Sequence, residues 1–164
     1  MMSVVRLIAL LTLLAMSGCN SVETDRIPPA PVYLPFYSSG EWIVYGTAGA
    51  VSWRLFVKEE QQPVNYSYTA LSMTGFGGIL LCGDVFGAPI AYDAACPVEC
   101  QRDIRVEIDS ETLTARCPIC GSEYDIFSNF GYPMSGKAAS LGYALKRYYV
   151  GAGSAGEYMV VRQL

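Results

Sequence analysis

From Val32 onward the chain runs in short apolar and aromatic stretches, each bounded by glycine, proline or polar turn residues. Trp42-Ile43-Val44-Tyr45 and Val51-Ser52-Trp53-Arg54-Leu55-Phe56-Val57 are rich in β-branched and aromatic residues, and Gly46-Thr47-Ala48-Gly49 between them has hairpin-loop chemistry. Strands are also expected over 65–70, 78–82 and 88–93. Arg105-Val106-Glu107-Ile108-Asp109 alternates polar and apolar, as a half-exposed strand does. Near the end, Arg147-Tyr148-Tyr149-Val150 and Tyr158-Met159-Val160-Val161 flank a glycine-rich stretch as a second hairpin. Only 137–146 has room for a turn of helix. Short strands at regular spacing with glycine turns predict an all-β fold, an antiparallel β-sandwich or small barrel.

The N-terminus breaks this pattern. Arg6 precedes an apolar run from Leu7 to Met16, and small residues follow, which is the layout of a secretory signal peptide. The run is short for a bilayer span. Met16-Ser17-Gly18-Cys19 resembles a bacterial lipobox, in which the cysteine is acylated and becomes the first mature residue. The competing readings are an uncleaved anchor or simple secretion. The expected organisation is a signal peptide over 1–18, a lipidated Cys19 with a proline-rich tether over 19–31, and one β domain over 32–164. Several acyl chains on Cys19 would hold the protein to a membrane durably, whereas one chain binds only marginally. Asn20 is not the aspartate that retains lipoproteins at an inner membrane, which favours an outer membrane if the cell has one.

Composition narrows the function classes. A length of 164 residues suits one domain with a proper core. The chain is 52% hydrophobic and 16% charged with a net charge of -4, and it has no Lys/Arg cluster, which argues against a nucleic-acid partner. It contains no histidine. That removes the residue type best suited to acid–base work near neutral pH. There is no Gly-x-Ser-x-Gly element, so the enzyme reading is the weakest of those open.

The chemistry lies in the cysteines. Besides Cys19 there are five, four of them in Cys96-Pro97-Val98-Glu99-Cys100 and Cys117-Pro118-Ile119-Cys120-Gly121. Two close pairs, each on a tight loop, are the usual way to bring four thiolates to one metal centre. In the second loop proline fixes the chain and glycine tolerates positive φ, so backbone N–H groups can face the sulfurs. Hydrogen bonds of that kind favour thiolate over thiol. Disulfides are the alternative, since an exported protein meets an oxidising compartment. Five cysteines then leave one free, with Cys82 in its apolar strand the natural candidate, and three pairings of the other four remain open.

The surroundings of these loops resemble Rieske iron–sulfur domains over about residues 78–150. Gly78 to Cys82 and Ala91-Tyr92-Asp93-Ala94-Ala95-Cys96-Pro97 are similar to that family's strand and first cluster loop. Cys117-Pro118-Ile119-Cys120-Gly121-Ser122-Glu123-Tyr124-Asp125 resembles its second loop, Cys-Pro-x-His-Gly-Ser-x-Tyr/Phe-Asp. Gly131-Tyr132-Pro133-Met134-Ser135-Gly136-Lys137-Ala138 resembles the covering loop, with Lys137 where a proline is usual. The family binds one iron through two Cys and the other through two His. Here Cys96 and Cys117 match the Cys positions, Cys120 stands at the second-loop His, and Val98 stands at the first-loop His. A bulged first loop would let Cys100 take the vacant place, with Glu99 a weaker candidate. Ser122 and Tyr124 match positions that donate hydrogen bonds to cluster or ligand sulfur in the family. Their ordinary roles would be turn formation and core packing.

Two functions follow from the resemblance and the cysteines. One is a membrane-anchored carrier of a [2Fe–2S] cluster held by Cys96, Cys100, Cys117 and Cys120, passing one electron at a time to an unidentified redox or envelope protein. All-thiolate ligation would lower its potential toward about -400 mV. The other is a non-catalytic binding or accessory lipoprotein whose four-cysteine site holds structural Zn²⁺ or forms disulfides. Asp93, Glu123 and Asp125 are expected to cap turns rather than to act as paired catalysts.

Overall fold

The computed structural model describes residues 22–47, 49–154 and 156–162. The expected signal peptide and Cys19 lie outside the described residues. The chain is all-β. In order it forms β1 (Val32–Phe36), helix α1 (Ser39–Tyr45), β2 (Ser52–Phe56), β3 (Met73–Thr74), β4 (Ile79–Gly83) and β5 (Pro89–Asp93). The small strands β6 (Glu107–Asp109), β7 (Thr114–Arg116), β8 (Glu123–Asp125) and β9 (Tyr132–Ser135) follow. Helix α2 (Gly136–Leu141) and strands β10 (Arg147–Ala152) and β11 (Tyr158–Arg162) complete it.

Seven strands make one antiparallel sheet in the order β2-β4-β5-β10-β11-β1-β3. It curls until its two edges meet: the Lys58 amide beyond β2 donates to Thr74 Oγ1 on β3 at 3.4 Å, and Lys58 Nζ donates to the Ser72 carbonyl at 2.8 Å. Near-closure of this kind leaves little unpaired edge. The second sheet, β6-β7-β8-β9, is inserted between β5 and β10, which themselves pair through Arg147 with Tyr92 and Tyr148 with Ala91.

The two-residue period of a strand explains how both units share a core. On β4, Ile79 and Leu81 face the barrel interior with Phe36, Phe56, Tyr66 and Val160, while Leu80 and Cys82 face the inserted sheet with Tyr92, Val106, Tyr124 and Ile126. Both faces of β4 are buried, so its sequence reads as a continuous apolar run rather than an alternation. Asp93 closes β5 as a buried carboxylate that accepts N–H bonds from Phe76 (2.9 Å), Gly77 (3.0 Å) and Ala95 (2.9 Å) and the Tyr148 hydroxyl. It pins the point where the chain leaves the barrel. Burial pushes its carboxyl up, and these donors oppose that shift.

Three local expectations change. Residues 42–45 are helical rather than a strand, so Gly46–Gly49 is not a hairpin loop. Ser38 accepts the Glu41 N–H at 3.1 Å while the Glu41 carboxylate accepts the Tyr37 N–H at 2.8 Å, a reciprocal N-terminal cap that outweighs the β-branched composition. Trp42 then stacks on Tyr158 at 3.9 Å. Residues 65–70 form no strand: Tyr66 plugs the barrel against Phe36 and Phe56, and its hydroxyl donates to the Pro35 carbonyl at 2.8 Å. The proline-rich stretch expected as a semi-rigid tether lies against the domain over its described part, 22–31. Ile27 is buried, Lys146 pairs with Asp25 at 2.8 Å, and Glu23 exchanges backbone bonds with Gly142 and Ala144. An apolar side chain and a backbone bridge fix a stretch whose prolines alone implied only stiffness.

Candidate metal centre

Both cysteine loops belong to the inserted sheet, and both have the same backbone construction. In the first, the Cys100 N–H donates to the Cys96 carbonyl at 2.9 Å; in the second, the Gly121 N–H donates to the Cys117 carbonyl at 3.0 Å. The closing residue of each turn is left-handed, Cys100 at φ 51° and Gly121 at φ 68°. Each loop begins Cys-Pro, and proline's fixed φ with its missing N–H suits the first step of such a turn. Cys96 therefore corresponds to Cys117, Glu99 to Cys120 and Cys100 to Gly121.

The thiols of Cys96, Cys117 and Cys120 all lie within 4.8 Å of one another, with Cys96 Sγ and Cys120 Sγ 3.7 Å apart. Cys96 and Cys117 are fully buried and Cys120 is half-buried. Three thiols in this arrangement can hold a metal ion. Cys100 does not join them. Its thiol donates to the carbonyls of Pro97 (3.2 Å) and Arg26 (3.4 Å), because its left-handed backbone turns it off the loop toward the N-terminal segment at Arg26. Of the four sulfurs expected to converge, three do. Val98 packs on the core of the inserted sheet, and Cys82, facing the same core, stands apart from the three thiols; burial pushes its own thiol up.

The residues around the thiols set their protonation. The Cys96 thiol is pushed up to about 12, chiefly by burial, with a smaller upward push from the neighbouring Cys117 thiol. The Tyr124 hydroxyl, 3.6 Å from Cys96 Sγ, and the amides of Glu99 and Val98 pull the other way. Burial raises Cys120 as well, but the Ser122 hydroxyl and amide and the other two thiols outweigh it and hold Cys120 below the ordinary thiol value. Ser122 is fully buried; its Oγ accepts the Ala138 N–H at 2.9 Å and lies 3.2 Å from Cys120 Sγ. As a thiol Cys120 donates to that oxygen, and as a thiolate it accepts from the same hydroxyl.

The covering loop closes on the site from the side of α2. Gly136 stands against Ser122 so closely that a Cβ there would come within 2.9 Å of Ser122 Cα, and its φ is +74°. The position admits only glycine without displacing the hydroxyl that faces Cys120. Lys137 next to it is exposed. On the other side an open cleft of about 550 Å³ runs along the second loop, lined by Cys117 to Gly121 with Glu107, Asp109 and Arg116. Ile119 at the loop tip is 65% exposed. The site is thus buried from the core side and reachable from the cleft.

The cysteine spacing named four thiols, of which three come together, and the resemblance to the Rieske second loop named the two hydroxyls beside them. The spacing missed that the third residue after Cys96, not the fourth, corresponds to Cys120. The signal was present in the shared Cys-Pro opening of both loops. Asp125 and Glu123 occupy turn and strand positions: Asp125 accepts the N–H groups of Phe127 and Ser128, and Glu123 accepts the Ser135 hydroxyl at 2.8 Å.

Compared with protein-family models, curated proteins and solved structures, the chain matches none.

Proposed function

We propose that this protein is a metal-binding module in which Cys96, Cys117 and Cys120 hold a single thiophilic ion, with Zn²⁺ the best suited. The observation that carries this reading is the 3.7 Å separation of Cys96 and Cys120 Sγ. Sulfurs bound to one tetrahedral zinc at about 2.3 Å are separated by about 3.8 Å. An ion at that point joins the two loops, so binding free energy becomes folding free energy of the inserted sheet. The burial of Cys96 and Cys117 and the hydroxyls beside two of the sulfurs support the same reading, since both orient and stabilise thiolate ligands.

A second reading keeps the [2Fe–2S] electron carrier. It is supported by the resemblance of both loops to Rieske domains and by the Ser122 and Tyr124 hydroxyls lying next to ligand sulfurs. It requires Cys100 to leave the Arg26 and Pro97 carbonyls. The rest of the functional picture stays with the sequence: export, acylation of Cys19, attachment to the cell envelope and an envelope partner. Among the described residues no helix is long and apolar enough to cross a membrane.

Metal and acid-labile sulfide content of protein purified without oxygen tests the proposal. One zinc, or one other soft ion, per chain without sulfide is the expected result. Iron with an equal amount of sulfide would replace it with the cluster reading. Metal-free protein with two of the three thiols joined as a disulfide would overturn both.

A further inference from the structure

Three thiolates leave a tetrahedral ion one ligand short. The two loops themselves indicate what fills the place. They share the Cys-Pro opening, the N–H bond from the fifth residue back to the first carbonyl, and the left-handed fifth residue. In the second loop the fourth residue, Cys120, directs its sulfur at the site. In the first loop the fourth residue is Glu99.

Glu99 fits the role on its own account. It is half-buried, and its backbone N–H, with that of Val98, is directed at Cys96 Sγ, so the loop already wraps the ligand sulfur. Its carboxylate makes no hydrogen bond or ion pair among the described residues, unlike Glu60, Glu41 and Glu123, whose carboxylates are all engaged. A carboxylate without a partner beside a ligand loop is free to take a cation. The Glu99 carboxylate does not lie with the three thiols in this structure, so it reaches the ion by a change of rotamer, which its three side-chain torsions allow. Cys100, by contrast, occupies the glycine place of the turn and faces Arg26.

We propose that Glu99 supplies the fourth ligand, giving a centre of three sulfurs and one carboxylate oxygen. This rests on the three-thiol reading above. It implies a more exchangeable site than four thiolates would make, since the oxygen ligand is the one that water or another donor displaces most readily.

The test compares zinc affinity, by competition with a chromophoric chelator, in the full chain and in four variants. Glu99→Gln should weaken binding by about tenfold or more, and Cys100→Ser should leave it within about twofold. Glu99→Cys makes the loops symmetrical; it should tighten zinc by at least about tenfold and add one thiol to those that zinc protects from alkylation. Loss of affinity in Cys100→Ser with none in Glu99→Gln would assign the fourth place to Cys100 and overturn the proposal. So would no change in either variant together with no gain in Glu99→Cys. Cys117→Ser separates the two levels: if it binds zinc as tightly as the natural chain, the three-thiol site itself is wrong.

Discussion

The two cysteine loops start from nearly the same sequence and end with different yields. Cys117-Pro118-Ile119-Cys120-Gly121 delivers two thiols to the site, and Cys96-Pro97-Val98-Glu99-Cys100 delivers one. Their backbones are alike, down to the closing hydrogen bond and the left-handed fifth residue. What differs is the side chain placed at the fourth and fifth steps. A thiol at the fourth step faces the site, and a thiol at the fifth, left-handed step faces away. Ligand delivery by a tight turn therefore depends on the step within the turn rather than on the number of cysteines in it.

Breaking the loops one at a time measures this difference. The largest effect is expected from the second loop: Cys117→Ser should weaken zinc by at least about 100-fold, because it removes a buried ligand and leaves two thiols. Competition titration checks it, and a loss of less than tenfold would place the ion elsewhere. Next comes the hydroxyl that serves that loop. Ser122→Ala should cost about tenfold in affinity, as loss of a group that orients a ligand usually does. It should also raise the apparent pKa of Cys120 in metal-free protein, measured as the pH dependence of its alkylation, since Ser122 is the main group lowering it.

The turn after β8 supplies a pH-dependent effect of intermediate size. Burial raises the Asp125 carboxyl, but the Ser128 hydroxyl and the amides of Ser128, Asn129 and Phe127 outweigh burial and hold it below its ordinary value. The folded protein therefore prefers the carboxylate. Its stability contribution is present above the unfolded value near 3.9 and is lost as pH falls through the lower folded value. Urea unfolding of the natural chain should weaken across that window. Asp125→Asn should lower stability by about 1 kcal/mol at neutral pH and flatten this part of the pH profile. The smallest effect belongs to the first loop. Cys100→Gly puts the residue suited to positive φ where the second loop has Gly121, and it should stabilise by about 0.5 kcal/mol while leaving zinc affinity unchanged.

Much of the fold was legible in the sequence, and the reasons are local. Strands β2, β4, β5, β10 and β11 carry apolar or aromatic runs ended by turn residues, so the pattern and the ladder agree. The short strands β7, β8 and β9, of three or four residues, offer too few positions for a period to stand out. Helix α1 defeated the composition of Trp42 to Tyr45 because a cap at Ser38 and Glu41 decided the backbone. At the site, the thiols were visible as residue types at set spacings, and the hydroxyls only through the resemblance of the second loop. The direction of Cys100 was not, since it follows from the sign of one φ angle. The contact of Cys100 with Arg26 joins residues 74 positions apart, which no local pattern carries.

The proposed ion sits among three thiols of two matched loops. X-ray absorption at the metal edge of the zinc-loaded full chain tests it most directly. About three sulfur neighbours at about 2.3 Å and one oxygen at about 2.0–2.2 Å are expected, with no metal–metal distance. A shell of oxygen and nitrogen without sulfur, or the metal–metal distance of a two-iron cluster in protein isolated without added zinc, would contradict it.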